Sequence, residues 1–176
     1  MPGKSIHTSR ISLDIPALKA GDKVLLSGTV YTSRDAAHAK IFSLLDNNEH
    51  LPFEISGAVI YYAGPTPTKP SGQIGSFGPT TSARMDKFSP RLLDLGLAAM
   101  IGKGNRNVET VEAIKRNKAV YFCAGGGFGA LISKSIISLE EIAFGELGCE
   151  SVKRLEVKDL PLIVGVDCEG NSIFDR

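Results

Sequence analysis

"KVLLSGTVY" (residues 23–31), running straight into "TSRDAAHAKIFSLLDNN" (32–48), decides the fold class. The first stretch is rich in residue types that favour strands. In the second, Ala37, Ile41, Leu44 and Leu45 recur at helical spacing, and Thr32 or Ser33 offers a cap for the first turn. Strand followed by helix is the opening of a layered α/β domain. Outward from it, "AVIYYAGP" (58–65) is a second apolar strand, and the Pro- and Gly-rich "GPTPTKPSGQIGSFGP" (64–79) is loop. "SPRLLDLG" (89–96) has a serine cap, a proline at the first helical position and a terminating glycine, so it predicts a short helix. "LAAMI" (97–101) reads as a buried strand, "NVETVEAIKRN" (107–117) as a helix and "AVYFCA" (119–124) as a strand. A further helix around "LEEIAFGEL" (139–147) and two strands within "SVKRLEVKDLPLIVGVD" (151–167) complete the chain. The sum is an α/β domain with a mixed sheet and flanking helices, in which ligands bind at loops beyond strand ends.

Composition limits what such a domain does. At 176 residues and 43% hydrophobic, the chain can bury one substantial core without disulfide or metal staples. A formal charge of +1 provides no overall field for a nucleic-acid backbone or an anionic membrane, so polyanion binding is a poor reading. Cys123, Cys149 and Cys168 are odd in number and widely spaced, which argues against a disulfide framework and for a reducing cytoplasm. The start "MPGKSIHTSR" lacks the apolar stretch of a signal peptide, and no later run reaches the length of a membrane span.

Three stretches carry chemistry. Arg34 lies in the first turn of its helix, where the macrodipole disfavours a cation by ~0.3–1 kcal/mol. A bound carboxylate or phosphate would remove that conflict. His38, one turn on, could order Arg34 or Asp35 or approach the ligand itself, and the alternative is a surface Arg34–Asp35 arrangement beside an ordinary helical histidine. In "GPTTSARMD" (78–86) a threonine cap with Arg84 and Asp86 in solvent competes with a second anion pocket. In the pocket reading Thr80 or Thr81 offers a hydroxyl near Arg84, and Gly72, Gly75 and Gly78 admit a ligand close to the backbone. "IGKGNRN" (101–107) sets Lys103 between two glycines directly after a buried strand, which is either an exposed lysine in a glycine turn or a cation for proton handling.

Other motifs are set aside. "GLAAMIGKG" (96–104) resembles a phosphate loop but has one residue too many between its glycines, and Gly104 stands where serine or threonine would meet magnesium. "GGGFGA" (125–130) satisfies the dinucleotide fingerprint, with Glu146 and Glu150 roughly at ribose distance, yet only about fifty residues follow it. The cysteine spacings give no local ligand motif for an iron–sulfur cluster.

Taken together and in order, "YTSRDAAH", "IYYAGPTP", "GSFGPTTSARMD", "IGKGN", "CAGGGFGAL" and "ELGCESVKRLEVKDLPLIVGVDCEGN" resemble the C-terminal domain, or separate beta subunit, of the iron–sulfur class I fumarases and L-tartrate dehydratases. The resemblance covers nearly the whole chain and implies one domain over 1–176, a swivelling β/β/α domain. Such a domain closes over a [4Fe–4S] cluster held by an alpha subunit in a hetero-oligomer of alpha and beta chains. It implies a hydro-lyase interconverting fumarate and L-malate, or dehydrating a related C4 dicarboxylate such as tartrate. Matched onto the family pattern, Arg34 and Arg84 correspond to the substrate-carboxylate clamps, Thr80 to the proton-transferring hydroxyl and Lys103 to the cation that makes its alkoxide accessible. Asp35, His38 and Thr81 fall in the same motifs as supporting residues, and no metal ligand is implied in this chain. The rival readings are a non-catalytic anion-binding subunit and a dinucleotide-dependent oxidoreductase using "GGGFGA".

Overall fold

The computed structural model describes residues 3–125 and 129–175. In chain order the elements are β1 (Lys4–His7), α1 (Ile11–Asp14), β2 (Lys23–Thr32), α2 (Asp35–Asp46), β3 (Val59–Tyr61), α3 (Ser89–Asp94), β4 (Ala99–Gly102), α4 (Val108–Asn117), β5 (Val120–Cys123), α5 (Gly129–Lys134), β6 (Ile136–Ala143) and β7 (Val152–Val166). β2, β3, β4 and β5 pair in parallel, each with the next. β7 runs antiparallel to both β5 and β2, so the five strands close on themselves into a barrel. β1 extends the sheet beside β2, and β6 forms an antiparallel hairpin with β7.

The residue pattern explains both faces. Along β2 every second residue is buried, with Val24, Leu26 and Val30 pointing into the barrel. β3, β4 and β5 are buried on both sides: Val59, Tyr61, Ala99, Ile101, Val120 and Phe122 fill the interior. Their alternates Ile60, Met100 and Tyr121 meet Ala37 and Ile41 of α2, Leu92 and Leu93 of α3, and Ala113 and Ile114 of α4. Strands covered on both faces read as continuous apolar runs, which is why these three stand out in the sequence.

Four expectations need correction. The segment 139–147 is not a helix: β6 occupies Ile136–Ala143, followed by a 3-10 turn at Gly145–Glu150. Leu139, Ile142 and Ala143 mimic helical spacing, but cross-strand partners on β7 decide the outcome, including the Glu140–Arg154 ion pair. The tail holds one fifteen-residue strand rather than two. Lys158 and Asp159 bulge opposite Ser27, with Asp159 left-handed and its N–H donated to Ser27 Oγ. Pro161 lies between the stretches of β7 paired to β6 and to β5, where its missing N–H forfeits no bond on that edge. β1 was not foreseen, because its only buried residue is Ile6. Finally, "SARM" (82–85) is a single 3-10 turn rather than the start of an α-helix.

Residues 126–128 of "GGGFGA" lie outside the described residues. After α5 the chain enters the antiparallel β6–β7 hairpin instead of another parallel strand, so the dinucleotide reading loses the βαβ unit it needs. No helix among the described residues is long and apolar enough to cross a membrane.

Gly102, the last residue of β4, is required by close approach. A Cβ there would stand 1.9 Å from Ser82 Oγ and 2.9 Å from Tyr62 Cδ2. Gly102→Ala should therefore destabilise the fold by ~1–3 kcal/mol in urea unfolding, and Ser82→Ala in the same chain should recover part of the loss. An unchanged midpoint would show that the 82–85 turn is not packed onto β4 in solution.

Candidate active site

The residues singled out in the sequence gather at the C-terminal ends of β2, β3 and β4. Arg34 follows β2 and becomes the N-cap of α2, in extended backbone (φ −116°, ψ −165°) and with no side-chain cap bond of its own. Neither Thr32 nor Ser33 caps the helix, contrary to expectation. Thr32 Oγ1 turns to β7, accepting from Lys153 N at 3.0 Å, and Ser33 Oγ lies 2.7 Å from His38 Nδ1. The capping oxygen comes from far away in sequence: Glu150 Oε1 accepts from Ala36 N at 3.4 Å and sits 3.9 Å from Arg34 Nε. Glu150 ends the 145–150 turn, which Lys153 holds by placing Nζ 2.7 Å from Ser151 Oγ, 3.1 Å from Ser151 O and 3.2 Å from Cys149 O. Burial lowers the pKa of that ammonium. Gly64 leaves room for Arg34, because a Cβ there would lie 3.3 Å from its Cδ and Nη1 and 2.7 Å from Cys149 O.

The loop 64–79 returns to the barrel through Phe77, which is fully buried and whose carbonyl accepts from Tyr61 Oη. That anchor delivers residues 79–82 between the ends of β3 and β4. Pro79 bridges to Ala63, Thr80 N donates to Tyr62 O at 2.6 Å, Thr81 pairs in parallel with Lys103, and Ser82 N donates to Lys103 O at 2.9 Å. Thr81 precedes the 82–85 turn without capping it by its side chain. Arg84 then reaches back to α2 with both arms of its guanidinium, Nε to Asp35 Oδ1 at 3.2 Å and Nη2 to Asp35 Oδ2 at 2.9 Å.

Arg34, Asp35, Thr80, Thr81, Arg84 and Lys103 thus form one contiguous surface. Arg34 is largely covered, with 24% of its side chain exposed, while Arg84 is 55% exposed and Lys103 lies open. Lys103 has no ion-pair partner among the described residues, so it is the unanswered cation of the three. His38 is not on this surface: it is fully buried, with its ring against Tyr62 and Phe88. A cavity of about 270 Å³ adjoins the site between Pro65–Thr68 and Cys149–Lys153.

Beneath the surface lies a network that the sequence reading missed. Asp86, in solvent on the threonine-cap reading, is buried and accepts from Arg106 Nε at 2.7 Å and from Asn107 N at 2.9 Å. Arg106 also donates from Nη2 to Ser89 Oγ at 2.7 Å and to Tyr62 Oη at 3.2 Å, and its guanidinium lies against the Tyr62 and Tyr121 rings. Tyr121 Oη is 2.8 Å from both Ser82 Oγ and Gly104 O. The turn carrying Arg84 and the glycines flanking Lys103 are therefore tied to one buried polar cluster. A charged Asp–Arg pair twenty residues apart carries no local sign of burial, so only the packing of α3 and α4 reveals it.

The three cysteines lie in different surroundings. Cys123 is half-buried in β5 with its thiol pKa raised by burial, Cys149 is exposed in the 145–150 turn, and Cys168 is buried beyond β7. Among the described residues no three of His, Cys, Asp and Glu are grouped to hold a metal ion.

Two outcomes follow from this geometry. Arg106→Met leaves Asp86 buried without its counter-charge and should cost ~3–5 kcal/mol in denaturant unfolding, whereas a loss under 1 kcal/mol would place Asp86 in water. Burial holds the His38 imidazole at a pKa of about 4, well below the usual 6.5. The unfolded chain therefore takes up that proton first, and stability falls as pH drops from 6.5 towards 4, by about 3 kcal/mol from this residue. His38→Phe should flatten that part of the pH–stability curve, and an unchanged slope would place the histidine in solvent.

Comparison with known proteins points the same way. The family model described as fumarase C-terminus matches residues 4–176. A Methanocaldococcus jannaschii protein whose name provisionally makes it an L(+)-tartrate dehydratase beta subunit is 42% identical over 169 residues, covering 93% of this chain and 87% of its own length. The L(+)-tartrate dehydratase beta subunit of Escherichia coli is 32% identical over 177 residues, covering 97% and 87%. The aerobic class I fumarate hydratase of Escherichia coli is 40% identical over 156 residues, covering 88% of this chain, which spans only 28% of that enzyme's length. The chain belongs to the fumarase C-terminus family.

Proposed function

We propose that this chain is the beta subunit of a two-subunit hydro-lyase of the cytoplasm that interconverts fumarate and L-malate, or dehydrates a related hydroxy diacid such as tartrate. Arg34 and Arg84 hold the two carboxylates of the substrate. Asp35 engages one side of the Arg84 guanidinium and leaves its Nη1 edge open to a ligand. Thr80 moves the proton at C3, and Lys103, which has no ion pair among the described residues, stabilises the alkoxide that this requires. A threonine hydroxyl is far too weak an acid to serve as a base near neutrality without such cations.

Among the described residues the three cysteines lie apart and no cluster-ligand group forms, so in this reading the [4Fe–4S] cluster belongs to the alpha subunit. There it would supply Lewis acidity towards the departing hydroxyl. The open face over Thr81, Arg84 and Lys103 is then the side covered by the partner, as a swivelling domain would be. What supports the proposal above all is the Thr81–Lys103 pairing, which draws Thr80 and Lys103 together within the surface that also carries Arg34 and Arg84. Named beta subunits and class I fumarate hydratases among the relatives support it independently.

The test is assembly. Purified alone, the chain should be colourless and inactive; mixed anaerobically with a cluster-loaded alpha subunit, it should turn over a C4 dicarboxylate. In that assembled enzyme Thr80→Val and Lys103→Met should lower kcat by ~100-fold or more while substrate still binds, with Thr80→Ser retaining part of the rate. Arg84→Lys keeps the charge but loses the planar fork, and should lower kcat/KM at least ~10-fold with folding intact. Stoichiometric iron and sulfide in the lone chain, or near wild-type turnover by Thr80→Val, would overturn the assignment.

A further inference from the structure

His38 is the one fully buried imidazole of the site region, and only one of its nitrogens is used. Nδ1 lies 2.9 Å from the Arg34 carbonyl and 2.7 Å from Ser33 Oγ. A carbonyl can only accept, so the proton sits on Nδ1 and is donated to Arg34 O. Nε2, then a bare lone pair, has no hydrogen-bond partner among the described residues. It sits among rings, with Tyr62 at 5.6 Å and Phe88 at 5.2 Å between centroids. If packing alone shaped this position, an apolar ring would fill it without burying an unsatisfied nitrogen. The polarity of the ring is used at Nδ1 alone, towards Arg34 O and Ser33 Oγ.

The bond to Arg34 O acts on an unusual helix start. Arginine has no acceptor and cannot cap its own helix, yet Arg34 occupies the N-cap of α2. Its carbonyl already closes the first turn by accepting from His38 N at 2.8 Å. The imidazole adds a second donor to the same oxygen, from the residue that makes the first bond. The carbonyl, and with it the direction in which Cα projects the side chain, is held from the buried side. Glu150 holds the outer side through Ala36 N.

We propose that His38 is a positioning residue: its Nδ1–H bond to the Arg34 carbonyl aims the Arg34 guanidinium at the anion it receives. The inference rests on the dicarboxylate reading above and adds a residue that touches no substrate.

The experiment uses the assembled alpha–beta enzyme with L-malate and L-tartrate as probes, comparing wild type, His38→Phe and His38→Asn. Phenylalanine fills the space without a donor, whereas the asparagine amide N–H stands near the place of Nδ1–H. His38→Phe should raise KM for the accepted substrate ~10-fold or more with kcat within about threefold and melting temperature near wild type, because substrate binding is lost rather than chemistry. His38→Asn should restore most of the affinity even if it melts earlier. A wild-type KM in His38→Phe, or losses in both variants that simply track melting temperature, would overturn the proposal.

Because His38→Phe could fail to fold, the proton is also located directly. Long-range 15N–1H spectra of the isolated wild-type chain at pH 7 should show a neutral ring protonated at Nδ1, and a proton on Nε2 overturns the inference without any activity measurement. Wild-type assembly that turns over neither probe would overturn the functional reading; turnover with an unaltered His38→Phe KM would overturn this inference alone.

Discussion

The antiparallel pairing of β7 with β2 is the contact on which the rest of the molecule depends. It closes five strands into a barrel, and its register sets what lies at the barrel's end. Tyr31 faces Arg154, so continuing the same register past Thr32 brings the residues just before β7 alongside the residues just after β2. That is how Glu150 reaches the first turn of α2 and how Cys149 comes to lie beside Gly64 and Arg34. A one-residue slip of β2 would turn Val24, Leu26 and Val30 out of the core, so the register is fixed by apolar burial. The polar arrangement at the rim is a consequence of that burial.

Above this frame the charges are arranged in two depths. The Asp86–Arg106 pair is dry, hydrogen-bonded on nearly all sides and wedged between aromatic rings, so it acts as a rigid mount. The Asp35–Arg84 pair and the long Arg34–Glu150 contact are only partly covered, with Arg84 the more exposed, so a competing carboxylate can exchange with them more readily than with the buried pair. In the proposed function, a rigid lower tier with an exchangeable upper one suits a surface that grips and releases a small anion.

The parts of the fold legible in the sequence are those governed by neighbours. α2 and α4 have local periodicity, and β3, β4 and β5 are unbroken apolar runs because both of their faces are covered. β6 was misread because Leu139, Ile142 and Ala143 fit a helix, and nothing within ten residues says that β7 will lie beside them. The site was legible as a set of motifs, each ambiguous alone. "GPTTSARMD" admitted a threonine cap, yet the turn it forms is 3-10 and Thr81 makes no capping bond.

By itself, then, the sequence determined an α/β domain without a metal-ligand motif, the strand–helix units that build most of its barrel, and a family resemblance carried by six ordered motifs. Tertiary structure alone decided that Arg84 pairs with Asp35, the neighbour of Arg34, that Thr81 pairs with Lys103, that Glu150 caps α2, and that Asp86 and His38 are buried rather than wet. The reason is range. Periodicity and turn chemistry act over one or two helical turns, whereas these contacts join residues separated by twenty to more than a hundred positions. Their partners are set only when the barrel closes.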